Sequence, residues 1–166
     1  MRPIRRTSRH GRGAVTIIEL LIVVLVMSIL AAAAAPAFID SLLFHRVESA
    51  ARRVKADLQL AQRTARLTSA AQSVSFTSST YTVTGTSSFD KPGSQYTVDL
   101  SAAPYELDKV EANFAGTATV SFDGYGKPAA TGTVELAVKN HECTITLDGT
   151  TGEATITSSH VRGRAP

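Results

Sequence analysis

The sequence contains very little cysteine and few aromatic residues. Cys143 is the one cysteine, tryptophan is absent, and aromatic residues make up 6% of the 166 positions. A single cysteine excludes an internal disulfide and any metal site built from several thiolates. The shortage of aromatic side chains argues against a surface on which nucleic-acid bases stack. The four histidines are scattered without the spacing of a ligand set, so we expect neither a metal nor another cofactor.

No group of residues predicts a catalytic mechanism, so the chain is not expected to be an enzyme. No Ser/His/Asp set or pair of carboxylates can be assigned from the pattern, and no nucleotide-binding glycine motif follows a strand. The carboxylates of Asp123, Asp148 and Glu153 could bind calcium, but their spacing fits no calcium-binding loop template. Cys143 lies in an alternating apolar stretch, which favours a buried, inert thiol.

Acidic residues are absent from the first fourteen positions, which hold five arginines. The other 12 basic residues stand against 14 acidic ones, so the rest of the chain has a net charge of −2 although the whole chain is +3. The body of the chain is therefore mildly acidic. General nucleic-acid binding driven by net charge is excluded for it.

The residues from Leu20 to Ile39 contain no charged side chain. Twenty helical residues span roughly 30 Å, the thickness of the hydrocarbon core of a bilayer. The arginines that precede them predict a cytoplasmic amino terminus, so the rest of the chain would cross the membrane. A cleaved signal peptide with a cut near Ala35 is the alternative. The apolar run is longer than the usual 7–15 residues of such a signal, which favours a membrane anchor.

Glu19 lies at the amino-terminal edge of this apolar run. A charged side chain at the centre of a bilayer costs about 2.5–3.5 kcal/mol, and less near the interface. In a helix that only anchors the chain, an unpaired carboxylate would make membrane insertion less favourable without any gain. A free amino group created by cleavage just upstream would give it a positive partner inside an assembly.

The stretch from 13 to 21, Gly-Ala-Val-Thr-Ile-Ile-Glu-Leu-Leu, resembles the signal of type IV prepilins and type II secretion pseudopilins. That pattern has a basic leader, a small residue before the cut, an apolar first mature residue, Thr or Ser second and Glu fifth. With Glu19 fifth, Val15 is the first mature residue and Thr16 the second. The resemblance implies that a prepilin peptidase cuts after Ala14 and methylates the new amine of Val15.

The exact bond stays open. Glycine usually precedes the cut, and Phe or Met is commoner than Val in the first mature position. Cleavage after Gly13 would restore the glycine but would make Glu19 the sixth residue. We favour the cut after Ala14 because the spacing of the glutamate carries the assembly chemistry.

Pro36 is the twenty-second residue after that cut, where pilin helices often have a proline. Either the helix ends there or it continues with a bend. The polar residues that follow favour continuation, because they form an amphipathic pattern from about 39 to 69. The apolar positions recur at steps of three and four: Val47, Ala50, Ala51, Val54, Leu58, Ala61 and Ala65.

After Ala71 the composition changes to Thr, Ser, Val and Gly. Alternating apolar residues predict strands within 72–85 and at 96–100, 117–122, 133–138, 143–147 and 154–157. Gly and Asp-Gly signals separate the later ones. The last four segments are close enough to form successive antiparallel hairpins. Residues 87–94 are expected to form a loop.

One long helix followed only by strands predicts an α+β fold, in which the helix covers one face of an antiparallel β-domain. The expected segments are a leader at 1–14, a transmembrane helix at 15–39, an amphipathic helix at 40–71, a periplasmic β-domain at 72–158 and a flexible basic tail at 159–166. The stretch 120–128, with the strands and glycines up to Gly152, resembles the carboxyl-terminal domain of the GspH/FimT group. The resemblance covers residues 15 to 158.

The resemblance implies a structural minor pseudopilin, anchored once in the inner membrane, that assembles with other pseudopilins through Glu19 and its helix. The alternative is a minor type IV pilin that helps pilus assembly or binds DNA, with Arg162 and Arg164 as possible phosphate contacts. Two arginines supply little charge for such binding. An unrelated anchored β-protein is a third possibility, and it predicts that replacing Glu19 has no effect on assembly.

Overall fold

The computed structural model describes residues 16–87 and 93–160, apart from the side chains of 35–37 and of 160. The chain divides into two compact units, 1–39 and 40–166. Among the described residues, those of the first unit form the start of one helix, and those of the second form the rest of that helix and the strands.

Helix α1 runs from Ile17 to Thr68 and is 52 residues long. It continues through position 36, so the prediction that the helix does not end at Pro36 is confirmed. Its carboxyl end closes where Ser69 takes a left-handed backbone conformation with φ +50°, and the N–H of Ala70 donates to the carbonyl of Ala65 over 3.3 Å. This hydrogen bond satisfies a carbonyl that the last helical turn would leave without a partner.

Within the described part of the second unit, eight strands form two four-stranded antiparallel sheets. The first sheet has the order β3-β2-β1-β5 and the second the order β4-β6-β7-β8. The strands are β1 (Gln72–Phe76), β2 (Thr80–Ser87), β3 (Gln95–Asp99), β4 (Lys109–Phe114), β5 (Thr119–Phe122), β6 (Gly132–Val138), β7 (His141–Leu147) and β8 (Ala154–His160). The predicted α+β, pilin-like class is therefore confirmed.

Three details of the strand prediction were wrong. Strand β4 was missed entirely. The segment 117–122, observed as β5, does not form a hairpin with β6, because it pairs with β1 and so belongs to the other sheet. The predicted tail includes Ser159 and His160, whereas both belong to β8, where they pair with Glu142 and His141. The expected loop at 87–94 lies mostly outside the described residues.

The core of the second unit lies between the helix and the inner faces of the two sheets. All seven predicted apolar positions of the helix are buried, from Val47 to Ala65. They meet alternating strand residues, among which Tyr81, Phe122, Leu136 and Ile145 are almost fully buried. The three-to-four residue period of the helix and the two-residue period of the strands thus turn their apolar faces toward one another.

Candidate assembly surfaces

The first unit exposes its apolar side chains. The large hydrophobic residues from Ile17 to Leu30 are each between 49% and 80% exposed. A soluble protein buries such residues, so a stretch of this kind needs a membrane or other helices to cover it. Among the described residues, α1 is the one helix long and apolar enough to cross a membrane.

Thr16 and Glu19 form the start of this helix. Thr16 precedes the first helical residue, and its Oγ1 accepts a hydrogen bond from the backbone N–H of Glu19 over 3.3 Å. Thr16 is therefore the N-cap residue, and Glu19 occupies the third helical position, as in a capping box. A carboxylate there also interacts favourably with the positive end of the helix dipole. The capping role of Thr16 was not predicted, although Thr-x-x-Glu before an apolar run is its sequence signal.

The remaining predicted site residues fall in two groups. The cleavage and methylation positions, Ala14 and Val15, and the two tail arginines, Arg162 and Arg164, lie outside the described residues. Pro36 lies inside α1. The structure therefore brings Thr16 and Glu19 together and leaves the processing bond a prediction.

In the second unit, a buried carboxylate ties the helix to the first sheet. Asp57 is 6% exposed, and its Oδ2 accepts hydrogen bonds from the hydroxyls of Tyr81 at 2.5 Å and Tyr96 at 2.9 Å. The Nε of Arg53, one helical turn earlier, donates to the same oxygen at 3.1 Å. A terminal nitrogen of Arg53 also donates to the Tyr96 hydroxyl. These four side chains, the Asp57 network, link α1 to β2 and β3.

The network changes the acidity of both tyrosines. Burial raises the pKa of Tyr81 well above the usual value for tyrosine, and the hydrogen bond to the Asp57 carboxylate raises it further. Burial also raises the pKa of Tyr96, where the hydrogen bond from Arg53 acts in the opposite direction. Both hydroxyls therefore stay protonated in the folded chain at a pH where an exposed tyrosine ionises.

We expect the chain to lose stability as the pH rises above about 10. Below that pH the tyrosines are protonated in both states. Above it the unfolded chain loses the proton that Tyr81 keeps when folded, which lowers the free energy of unfolding by about 1.4 kcal/mol per pH unit. Urea unfolding between pH 8 and 11 measures this slope. The variant Tyr81→Phe should have a shallower slope, and equal slopes would contradict the prediction.

Two further pairs hold the start of the amphipathic half of α1. The Nε2 of buried His141, at the start of β7, lies 2.9 Å from the Oδ1 of Asp40. Arg46 pairs with Glu106 in the segment between β3 and β4 at 2.5 Å. Phe44 packs its ring edge-on against His141. These contacts secure the helix from its first residue in the second unit.

The other end of the helix is held by the loop between β5 and β6. Gln62 donates to the carbonyl of Gly126 at 2.9 Å, and Arg66 donates to the carbonyl of Tyr125 at 3.0 Å. Gly126 has φ +76°, a conformation that favours glycine. Tyr125 itself is 88% exposed.

The remaining candidate groups are structural. Burial raises the pKa of the Cys143 thiol, and the nearby carboxylates of Glu48 and Glu142 raise it further, so the predicted inert thiol is supported. The carboxylates of Asp123 and Asp148 accept hydrogen bonds from backbone N–H groups of their own loops. Within 16–87 and 93–160, no three His, Cys, Asp or Glu side chains are arranged to hold a metal ion.

Sequence reasoning missed the Asp57 network. Asp57 is charged, so it is not among the seven apolar positions from which the buried face of the helix is predicted. Its position, three residues after Val54 and one before Leu58, places it at the edge of the apolar face. A carboxylate at such a position needs hydrogen-bond donors from the sheet that packs on the helix. The position of Asp57 in the helical repeat is therefore the sequence signal that could have predicted the network.

One long helix with an exposed apolar half, whose second half packs on two antiparallel sheets, defines a pilin-like protein. The chain belongs to the family described as type II transport protein GspH, whose family model matches residues 50–159. The match covers most of the second unit, and the apolar segment lies outside it. Neither the curated proteins nor the solved structures that were compared gave a match.

Proposed function

We propose that this chain is a minor structural pseudopilin of a type II secretion system that assembles through its amino-terminal helix into a periplasmic pseudopilus. Membership in the GspH family supports a role as a type II secretion pseudopilin and assembly with other pseudopilins. The proposal that the chain assembles through its amino-terminal helix rests on the exposed apolar half of α1. Those side chains need either lipid or neighbouring helices to cover them. Together, the family membership and these side chains support anchoring in the inner membrane.

Processing by a prepilin peptidase fits the start of the helix. A cut after Ala14 would place the new amino group on Val15, immediately before the N-cap residue Thr16. A positive amine at that end of the helix is opposed by the helix dipole. The carboxylate of Glu19 in the first turn would offset this repulsion. In a filament, the amine that it neutralises would belong to the same subunit or to a neighbour.

Cleavage can be tested by measuring the intact mass of the chain produced together with a prepilin peptidase. We expect loss of residues 1 to 14 and gain of one methyl group. The control is the same chain produced together with an inactive peptidase. An authentic prepilin in the same cells shows that the active peptidase works. An uncut chain would contradict the proposal, and so would a cut near Ala35, which would make the chain a secreted protein.

A further inference from the structure

The amphipathic half of α1 has a second face, opposite its buried one. Six exposed residues recur at steps of three, four and seven and so lie on one side of the helix. Val54 and its buried neighbours lie on the opposite side. We call these six the outer helix face: His45, Ser49, Arg52, Ala56, Arg63 and Leu67.

The outer helix face and its borders are strongly basic. Arg52 and Arg63 lie on it, and Lys55 and Arg66 flank it. Among the helix residues 45–67, Glu48 is the one acidic side chain beside it that is not buried, and it bonds Arg52 at 2.8 Å. Glu106, from the segment between β3 and β4, is paired with Arg46 at the edge of the face. The side chain of Arg52 remains 71% exposed despite its bond to Glu48, and Arg63 forms no ion pair with a described residue. Positive charge is thus left available along about 16 Å of helix.

The outward surface of the second sheet has the opposite sign. Glu111 on β4 lies directly opposite Glu135 on β6, and Glu142 follows on β7, diagonal to Glu135. Lys109, which lies 2.7 Å from Glu111 and 3.3 Å from Glu135, is the one basic group there in the described chain. The other outward residues of this sheet are uncharged. We call this the acidic sheet face: Lys109, Glu111, Asn113, Thr133, Glu135, Ala137, Glu142, Thr144, Thr146, Thr155, Thr157 and Ser159.

Like charges placed directly opposite one another destabilise a sheet. The pair Glu111 and Glu135 therefore carries a local cost that one lysine only partly offsets. Four strands span about 14 Å across the sheet, close to the length of the basic stretch of the helix. The two surfaces are therefore opposite in charge and similar in extent.

We propose that the outer helix face of one subunit binds the acidic sheet face of a second copy of this chain. Charge complementarity carries the choice of partner, since the matching acidic surface is present on the chain itself. The two faces are different surfaces of one molecule, so the contact is heterologous. Unlike a two-fold dimer contact, a heterologous contact can join two successive copies along a filament. The inference rests on the proposed function as a filament subunit and assigns one of its lateral contacts.

Cysteine cross-linking of full-length chains in membranes tests this contact. One copy carries Ser49→Cys on the outer helix face, and a second, differently tagged copy carries Thr157→Cys on the acidic sheet face. Both residues are exposed, whereas the native Cys143 is buried. We expect oxidation to join the two tagged copies. Ser78→Cys, in the exposed turn between β1 and β2, is the matched control and should form at least tenfold less product.

Charge reversal gives the decisive comparison. Changing Arg52 and Arg63 to Glu on the first copy should reduce the product at least about tenfold, as should changing Glu111 and Glu135 to Lys on the second. Combining the two reversed copies should restore it. Substitution of these exposed charges should leave the fold intact. The neutral double variant, Arg52→Gln with Arg63→Gln, should also reduce the cross-linked product, but by less than the charge reversal does.

Three results would overturn the inference: product that is insensitive to both reversals, no restoration when the reversed copies are mixed, or cross-linking of Ser49→Cys only to a different pseudopilin. The last would assign the outer helix face to another subunit. If cleavage and methylation occur as expected while the cross-link is absent, this inference fails and the proposed function stands. If the chain is never processed, the proposed function fails on its own test.

Discussion

Replacing Asp57 by alanine is expected to lower the free energy of unfolding by about 2–4 kcal/mol, because two buried tyrosine hydroxyls lose their acceptor and each such loss costs about 1–3 kcal/mol. The carboxylate accepts three hydrogen bonds at one oxygen, and it joins the helix to two strands of the first sheet. Removing it leaves the hydroxyl of Tyr81 buried without its acceptor and takes from Arg53 its charged partner. The cost is large because Tyr81 and Tyr96 are buried, whereas the half-exposed Arg53 can turn to water.

The measurement is urea unfolding of the detergent-solubilised chain, followed by far-ultraviolet circular dichroism. Arg52→Ala, on the exposed side of the same helix, is the matched control and should change stability by less than about 1 kcal/mol. A double-mutant cycle with Tyr81→Phe separates the hydrogen bond from the rest of the network. A loss for Asp57→Ala no larger than that of the control would show that the network contributes nothing to stability.

The helix was predictable from sequence because its signal is local and periodic. Each of the seven apolar positions from Val47 to Ala65 is set by the 3.6-residue turn, and all seven are buried. Strand β4 was missed because Lys109, Glu111 and Asn113 are poor strand formers, and its alternation depends on Val110, Ala112 and Phe114. Pairing with β6 overrides that weak propensity.

The sheet order was not predictable from spacing. Segment 119–122 is followed after nine residues by β6, which suggests a hairpin, yet β5 pairs with β1 almost fifty residues earlier. Nothing local distinguishes these two partners, because the choice depends on which apolar faces the helix covers. The acidic sheet face is similarly hidden, since Glu111, Glu135 and Glu142 meet only once the register of three strands is known.

Glu19, by contrast, can be recognised from the sequence alone, because it is a charged residue at the edge of an apolar run. Of the substitutions considered, its replacement has the largest expected effect on function. With Glu19→Leu we expect normal membrane insertion but a loss of pseudopilus incorporation by roughly two orders of magnitude. An uncompensated charge within the hydrocarbon costs about 2.5–3.5 kcal/mol, and each 1.4 kcal/mol is a factor of ten. In the variant, the amine of the processed terminus would enter the helix bundle without a carboxylate.

Incorporation can be measured as the fraction of chain recovered in sheared pseudopili, with the membrane fraction as the reference. Glu19→Asp keeps the charge on a shorter side chain and should retain most incorporation. Ser28→Ala, in the same apolar stretch, should retain all of it.

Thr16→Ala separates helix capping from the charge of Glu19. It removes the cap bond to the Glu19 backbone but leaves the carboxylate in place. If Thr16→Ala and Glu19→Leu cause equal losses, capping of the helix explains the effect and the charge does not. A loss confined to Glu19→Leu assigns assembly to the carboxylate, because an unrelated anchored β-protein would tolerate all four substitutions.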